Sequence, residues 1–167
     1  MRTLRKRLAD RSEEGFTLIE LMVVVLIIAI LLAIAIPSFL GARGKAQDRA
    51  AQSNARNALT AEKTFYTDNQ QYTDVPADMQ AIEPSLSYKN VAPAQGTKEV
   101  EIAVANTTTV AVTKAIVCVT TKSANGTTFT IKDIAAGTNA GTYFSKAAAP
   151  ACDDTGAVAN GDWQDKW

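Results

Sequence analysis

The chain is 167 residues long, enough for one soluble domain with an N-terminal segment but not for two full domains. Its 17 basic and 17 acidic residues cancel, so bulk attraction to nucleic acid is not indicated. It contains no histidine, which removes the commonest general base and the commonest transition-metal ligand. Nothing in the sequence identifies an enzyme, and no cofactor is expected.

The first 15 residues form a charged leader. Arg2, Arg5, Lys6, Arg7 and Arg11 stand against Asp10, Glu13 and Glu14, a net charge of +2. Basic residues ahead of an apolar span hold that end in the cytoplasm, which puts the bulk of the chain on the outer side. The leader closes on Gly15. A small residue at this junction suggests a cut that frees Phe16 as a new α-amine.

Phe16 to Ile36 is an apolar run interrupted only by Thr17 and Glu20. As a helix it spans roughly 32 Å, enough to cross a hydrocarbon core of about 30 Å. Glu20 sits near the start of this run. An ionisable group in a membrane span is a functional hypothesis that needs a named partner, and the partner proposed by position is the Phe16 amine. Two bland readings stand beside it: Glu20 snorkels to the interface, or it caps its own helix. Ala33-Ile34-Ala35 also fits an ordinary signal-peptidase pattern, with cleavage before Ile36, although it lies inside the apolar run.

Pro37, Gly41 and Gly44 weaken a helix that continues outward, and residues 37–44 read as a soft spot. From Ala46 to about Thr67 the composition is strongly helical again. Ala51, Ala55, Ala58, Leu59, Glu62, Phe65 and Tyr66 recur on one face, apolar except for Glu62. The expectation is one long helix whose outer, amphipathic half reaches residue 72. Pro76, Pro84 and Pro93 then mark a connecting loop over 73–98.

Alternating runs predict strands at Glu99–Ala105, Thr108–Thr113, Ala115–Thr121 and Thr127–Asp133, with a weak fifth near Thr142–Ser145. Together they make an antiparallel sheet over 99–146 with one covered face, the cover being the outer half of the helix. Asn106-Thr107 and Ser123-Ala124-Asn125-Gly126 are candidate hairpin turns. The fold class is therefore α+β: a long N-terminal helix packed on a C-terminal antiparallel sheet of about four strands. Cys118 and Cys152 fall in the exported portion and read as one disulfide, with two buried free thiols as the alternative. A bridge would tether the irregular tail, 147–167. The tail's aspartates, Asp153, Asp154, Asp162 and Asp165, lack EF-hand spacing and read as a solvated acidic surface, not a metal site.

The stretch from Gly15 to roughly Arg43 resembles the class III signal and N-terminal helix of type IV pilins and related pseudopilins, in particular a type IVa-like major pilin. The likeness rests on Gly15 before Phe16, on Glu20, on the apolar span and on Pro37 at its outer end. It implies that prepilin peptidase cuts between Gly15 and Phe16 on the cytoplasmic side and methylates the Phe16 amine. The apolar helix stays on the product, so the subunit waits as a single-pass protein of the bacterial cytoplasmic membrane.

An assembly ATPase and a polytopic platform protein then draw subunits into a homo-oligomeric helical filament outside the cell. Glu20 would pair with a neighbour's Phe16 amine, and the chain near Pro37 would unwind on assembly. The likeness also implies the pilin fold, with Cys118–Cys152 as its C-terminal disulfide loop. Two features depart from the pattern: the leader is long for pilins that begin with phenylalanine, and Gly41 and Gly44 extend the soft zone. The alternatives are a minor pilin, a pseudopilin of a type II secretion or DNA-uptake system, or a secreted or anchored binding domain with an ordinary signal. The cysteine pair favours a true pilin. Adhesion, motility and DNA uptake are all served by such filaments, and the sequence does not choose among them.

Overall fold

A computed structural model describes residues 15–107, 113–147, 150–154 and 163–167. The chain divides into two compact units, Met1–Ala42 and Arg43–Trp167, with the division between Gly41 and Gly44. Helix α1 runs Leu18–Asn69 and contains Pro37. In the first unit its apolar side chains are all exposed; Leu26 and Ile34, for example, keep 60% and 72% of their surface open. This is the one helix long and apolar enough to cross a membrane among the described residues.

The second unit is the α+β architecture expected. It contains a short helix α2 (Pro76–Ile82) and five strands: β1 (Ser87–Lys89), β2 (Glu99–Ala105), β3 (Ile116–Lys122), β4 (Thr128–Ile134) and β5 (Gly141–Ser145). They form one sheet in sequence order. Every pairing is antiparallel except β1 with β2.

The 73–98 segment, read as a loop, carries α2 and the edge strand β1. Neither is long enough to leave a periodic signature, and Pro76, taken as a breaker, is the first residue of α2, where its missing N–H costs nothing. The expected strand at Thr108–Thr113 falls at 108–112, outside the described residues; Thr113 lies in a turn. The Ser123–Gly126 turn does join β3 to β4. Gly126 N donates to Ser123 O at 2.9 Å, and the turn's φ of +90° at Gly126 is open to glycine.

Small residues let α1 lie close to the sheet. Ala55, Ala58 and Leu59 meet Val100, Ile102, Val117, Val119 and Ile131 in one core. On the solvent side of α1, Thr60, Thr64 and Thr67 satisfy their hydroxyls on carbonyls four residues back. Gln70, at φ +57°, ends the helix in the left-handed region.

One expectation is corrected. The sheet was read as covered on one face, but β3 and β4 are buried on both. The second cover is the C-terminal tail. Cys152 is bonded to Cys118 of β3, and the Trp163 ring stacks over Lys132 Nζ of β4 at 4.3 Å. Gln164 then pairs with Phe144 at the β5 edge, with reciprocal N–H···O bonds of 2.7 and 2.8 Å. Beyond that edge Trp167 packs against Phe129 and Phe144 and receives the Arg56 guanidinium on its ring. The tail thus holds both faces and occupies the edge a further strand would otherwise seek.

Candidate assembly site

The first turn of α1 is built by its own side chains. Thr17 N and Oγ1 both donate to Glu20 Oε2, at 2.9 and 2.7 Å, and Glu20 N donates to Thr17 Oγ1 at 3.3 Å. This is a capping box, the Thr-x-x-Glu spacing satisfying helix-end donors reciprocally. The capping reading of Glu20 is therefore realised in the single chain. The spacing Thr17-Leu18-Ile19-Glu20 signals it in sequence, and the apolar run hid it. It uses Oε2 alone; among the described residues Oε1 has no hydrogen-bond partner.

Phe16, beside it, is 82% exposed. A Cβ added at Gly15 would meet no described atom within 4 Å, and no positive φ requires glycine there. Nothing in the folding of the described chain asks for a glycine at that position. Pro37 lies inside α1 in the same unit.

The second unit holds the remaining candidate residues. Cys118 and Cys152 form a disulfide with Cα atoms 5.9 Å apart, 34 residues apart in sequence. In the chain-entropy account a loop of that size is worth on the order of 3–4 kcal/mol. The full chain under reducing conditions should gain about 2 Da with no change in oligomer size on denaturing gels. A doubled mass that collapses on reduction would instead show an intermolecular bridge.

Two buried polar groups escaped the sequence reading. Asp133 of β4, 6% exposed, accepts from Tyr72 Oη and Thr142 Oγ1 and pairs with Lys63 Nζ at 2.8 Å. It joins α1, the segment after it, β4 and β5 at one carboxylate. That Asp133 contact, together with burial, pushes the Tyr72 phenol well above its ordinary value.

Glu62 is wholly buried on α1. Its Oε2 accepts from Thr73 N at 3.3 Å, and its Oε1 has no partner. Burial is the main cause that pushes its carboxyl up to about 8. Asp74 and Asp78 add to the rise against the Thr73 bond. On the other face of the sheet, burial lowers Lys132 from its ordinary value although Asp153 lies 3.3 Å from Nζ.

Residues 10–36 match the family model described as the prokaryotic N-terminal methylation motif. The type IV major pilin protein PilA of Myxococcus xanthus is 47% identical over 60 residues, covering 36% of this chain and 27% of that protein. The type IV wide pilus major component PilA4 of Thermus thermophilus is 43% identical over 63 residues, 38% of this chain and 48% of that one. The type II secretion system core protein G of Klebsiella michiganensis is 32% identical over 72 residues, 43% of this chain and 51% of that one. The chain spans between about a quarter and half the length of these relatives. With a methylation motif, an exposed apolar helix and an α+β unit behind it, the chain belongs to the type IV pilin family in the broad sense that takes in pilus subunits and secretion-system core proteins.

Proposed function

We propose that this chain is the structural, non-catalytic subunit of a type IV pilus filament. It is cut between Gly15 and Phe16 by a prepilin peptidase and methylated on the Phe16 amine. It waits in the cytoplasmic membrane with its N-terminus inside and is then assembled by an ATPase-driven platform. The observation that carries this reading is the apolar half of α1, whose side chains are covered by nothing in their own chain. Such a surface needs lipid before assembly and neighbouring helices after it. The freedom of Gly15 adds support, because a glycine that folding does not require there fits a requirement of the cutting enzyme.

Pairing of Glu20 with a neighbour's Phe16 amine would set the stagger between helices. A wrong stagger leaves two charges unpaired in an apolar surround, and that penalty is what selects the right one. The oxygen the capping box leaves over is the atom available for it.

A second reading is a core subunit of a secretion pseudopilus. It is favoured by the likeness to core protein G, which in the Aeromonas hydrophila protein extends over 50% of this chain at 31% identity. The disulfide tether favours the pilus. N-terminal sequencing and mass analysis of the exported protein provide the test. An N-methylated Phe16 is the expected first residue; Ile36 in that place would mean an ordinary signal and would sink both filament readings.

A further inference from the structure

Every ion pair of the second unit involves Lys63, Lys89, Lys114 or Lys132, each set against a carboxylate, among the described residues. Five other cations gather where α1 enters this unit. Arg43, Lys45 and Arg49 lie on α1, and Lys98 and Lys122 come from the start of β2 and the end of β3. Four of them are exposed and Lys122 is half-buried, and none is ion-paired with a described residue. The folding of the unit brings them together: Asn125 donates to Gly44 O at 3.2 Å and to Asp48 at 2.8 Å, holding the β3–β4 turn on the helix. Gly96 N donates to Lys122 O at 3.2 Å, holding the loop before β2 beside it. Between them lies a groove of about 260 Å³, bordered by Gln47 and Asn54 on one side and by Thr97, Lys98 and Lys122 on the other. Asp48 is the nearby carboxylate, and Asn125 already occupies it.

The cations stand at a telling place in the chain. Leu40 is the last large apolar residue of the exposed run, and Arg43 follows three residues later, about 5 Å along a helix. The headgroup layer is itself about 5–7 Å deep on each side. Arg43 therefore lies within that layer by chain distance alone, and Lys45 and Arg49 follow within about 9 Å more. Basic residues normally flank the cytoplasmic end of a span, so this outer cluster is not explained as a topology signal.

We infer that the groove between Lys98 and Lys122, with Arg43, Lys45 and Arg49 around it, holds the phosphate of anionic phospholipid headgroups at the outer membrane surface before assembly. The inference rests on the proposed membrane-resident subunit. Basic side chains near a bilayer are attracted by anionic lipid within a Debye length, so the contact is weakened by salt. Loss of those headgroups on extraction would leave the cluster free for other contacts.

The test uses the full chain reconstituted in vesicles of phosphatidylcholine alone, or with about one-third phosphatidylglycerol, under amine-reactive labelling read by mass spectrometry. Lys98 and Lys122 should be protected roughly three- to tenfold in the anionic vesicles, and protection should vanish in 1 M salt. Lys146 and Lys166, on the other side of the sheet, should label equally in both. The combined variant Lys45→Gln, Arg49→Gln, Lys98→Gln, Lys122→Gln should lose the enrichment of phosphatidylglycerol over phosphatidylcholine that co-purifies with the native chain.

Equal labelling in the two lipids, from a chain that resists carbonate extraction in both, overturns the inference and leaves the membrane reading standing. Failure to insert in either lipid overturns the membrane reading, and the inference with it. Equal protection by inorganic phosphate in detergent would show a simple anion site. Protection that appears only in assembled filaments would assign the cluster to a second copy of the chain. Either result also overturns the lipid assignment.

Discussion

Replacing Glu20 by alanine will leave removal of the leader intact and exclude the variant from filaments, and replacing it by glutamine will do the same. The pair of variants separates two roles that the structure superimposes on one side chain. As a cap, Glu20 accepts from Thr17 through one oxygen, and glutamine can do this as well, since the capping box accepts either residue. Alanine loses the cap at a cost of about 0.5–2 kcal/mol, borne by the first turn of a helix that extends to Asn69.

As a docking charge, Glu20 must be ionised and must meet an amine, and glutamine then fails as completely as alanine. A charge at the centre of a span costs about 2.5–3.5 kcal/mol on insertion scales and less near its end, so the unpaired carboxylate is tolerated in the waiting subunit. The measurement is the ratio of variant to native chain in sheared filaments, with N-terminal analysis of the membrane fraction. Filaments of normal yield built from the glutamine variant would reduce Glu20 to a cap. Loss of leader removal in either variant would place its role earlier, in the peptidase step.

What could be read from the sequence divides along physical lines. The apolar run from Phe16 to Ile36 is legible because lipid and neighbouring helices impose a composition, and composition survives without a fold. The core face of α1 is legible for a similar reason: Ala51, Ala55, Ala58 and Leu59 repeat at helical spacing and are all buried. β2, β3 and β4 announce themselves by alternation. Elements shorter than their own period do not, which is why α2 and β1 passed as loop. Burial of both faces of β3 and β4 was hidden because its cause is remote: Trp163 and Trp167 lie 30 or more residues beyond β4, in a stretch whose composition is that of a loop.

Asp133 and Glu62 were invisible for a related reason. A carboxylate in an amphipathic pattern is read as solvent-facing, and only tertiary contacts from Tyr72, Thr142 and Thr73 reverse that reading. Glu62 was visible as the one polar member of the buried face, a local inconsistency of the kind that marks a special site.

Glu62 gives the second large effect. Its carboxyl stays protonated in the folded chain up to about pH 8, whereas in the unfolded chain it titrates near its ordinary 4.5. Between those values the folded state binds the extra proton, so stability falls as pH rises from about 4.5 to 8 and levels off above. A gap of that size corresponds to a few kcal/mol at most. The window is unusually clean. The chain has no histidine, and Asp74, Glu83 and Glu99, whose partners hold them below the carboxylate range, act with the opposite sign and only at lower pH.

The groups facing Glu62 explain the direction. Thr73 N is its sole donor, while Asp74 and Asp78 repel a charge there. Tyr88 Oη, also buried, has no partner among the described residues. Ionisation should therefore act first on the segment 73–89 that carries α2 and β1. Urea unfolding of the full chain in detergent from pH 4 to 9 is expected to show the native chain losing stability across the window and Glu62→Gln remaining flat through it. Hydrogen exchange in 73–89 should rise by pH 8 in the native chain alone, after correction for the intrinsic pH dependence of exchange. Parallel slopes for the two chains would mean that Glu62 is ionised in the fold, with a partner that its present contacts do not supply.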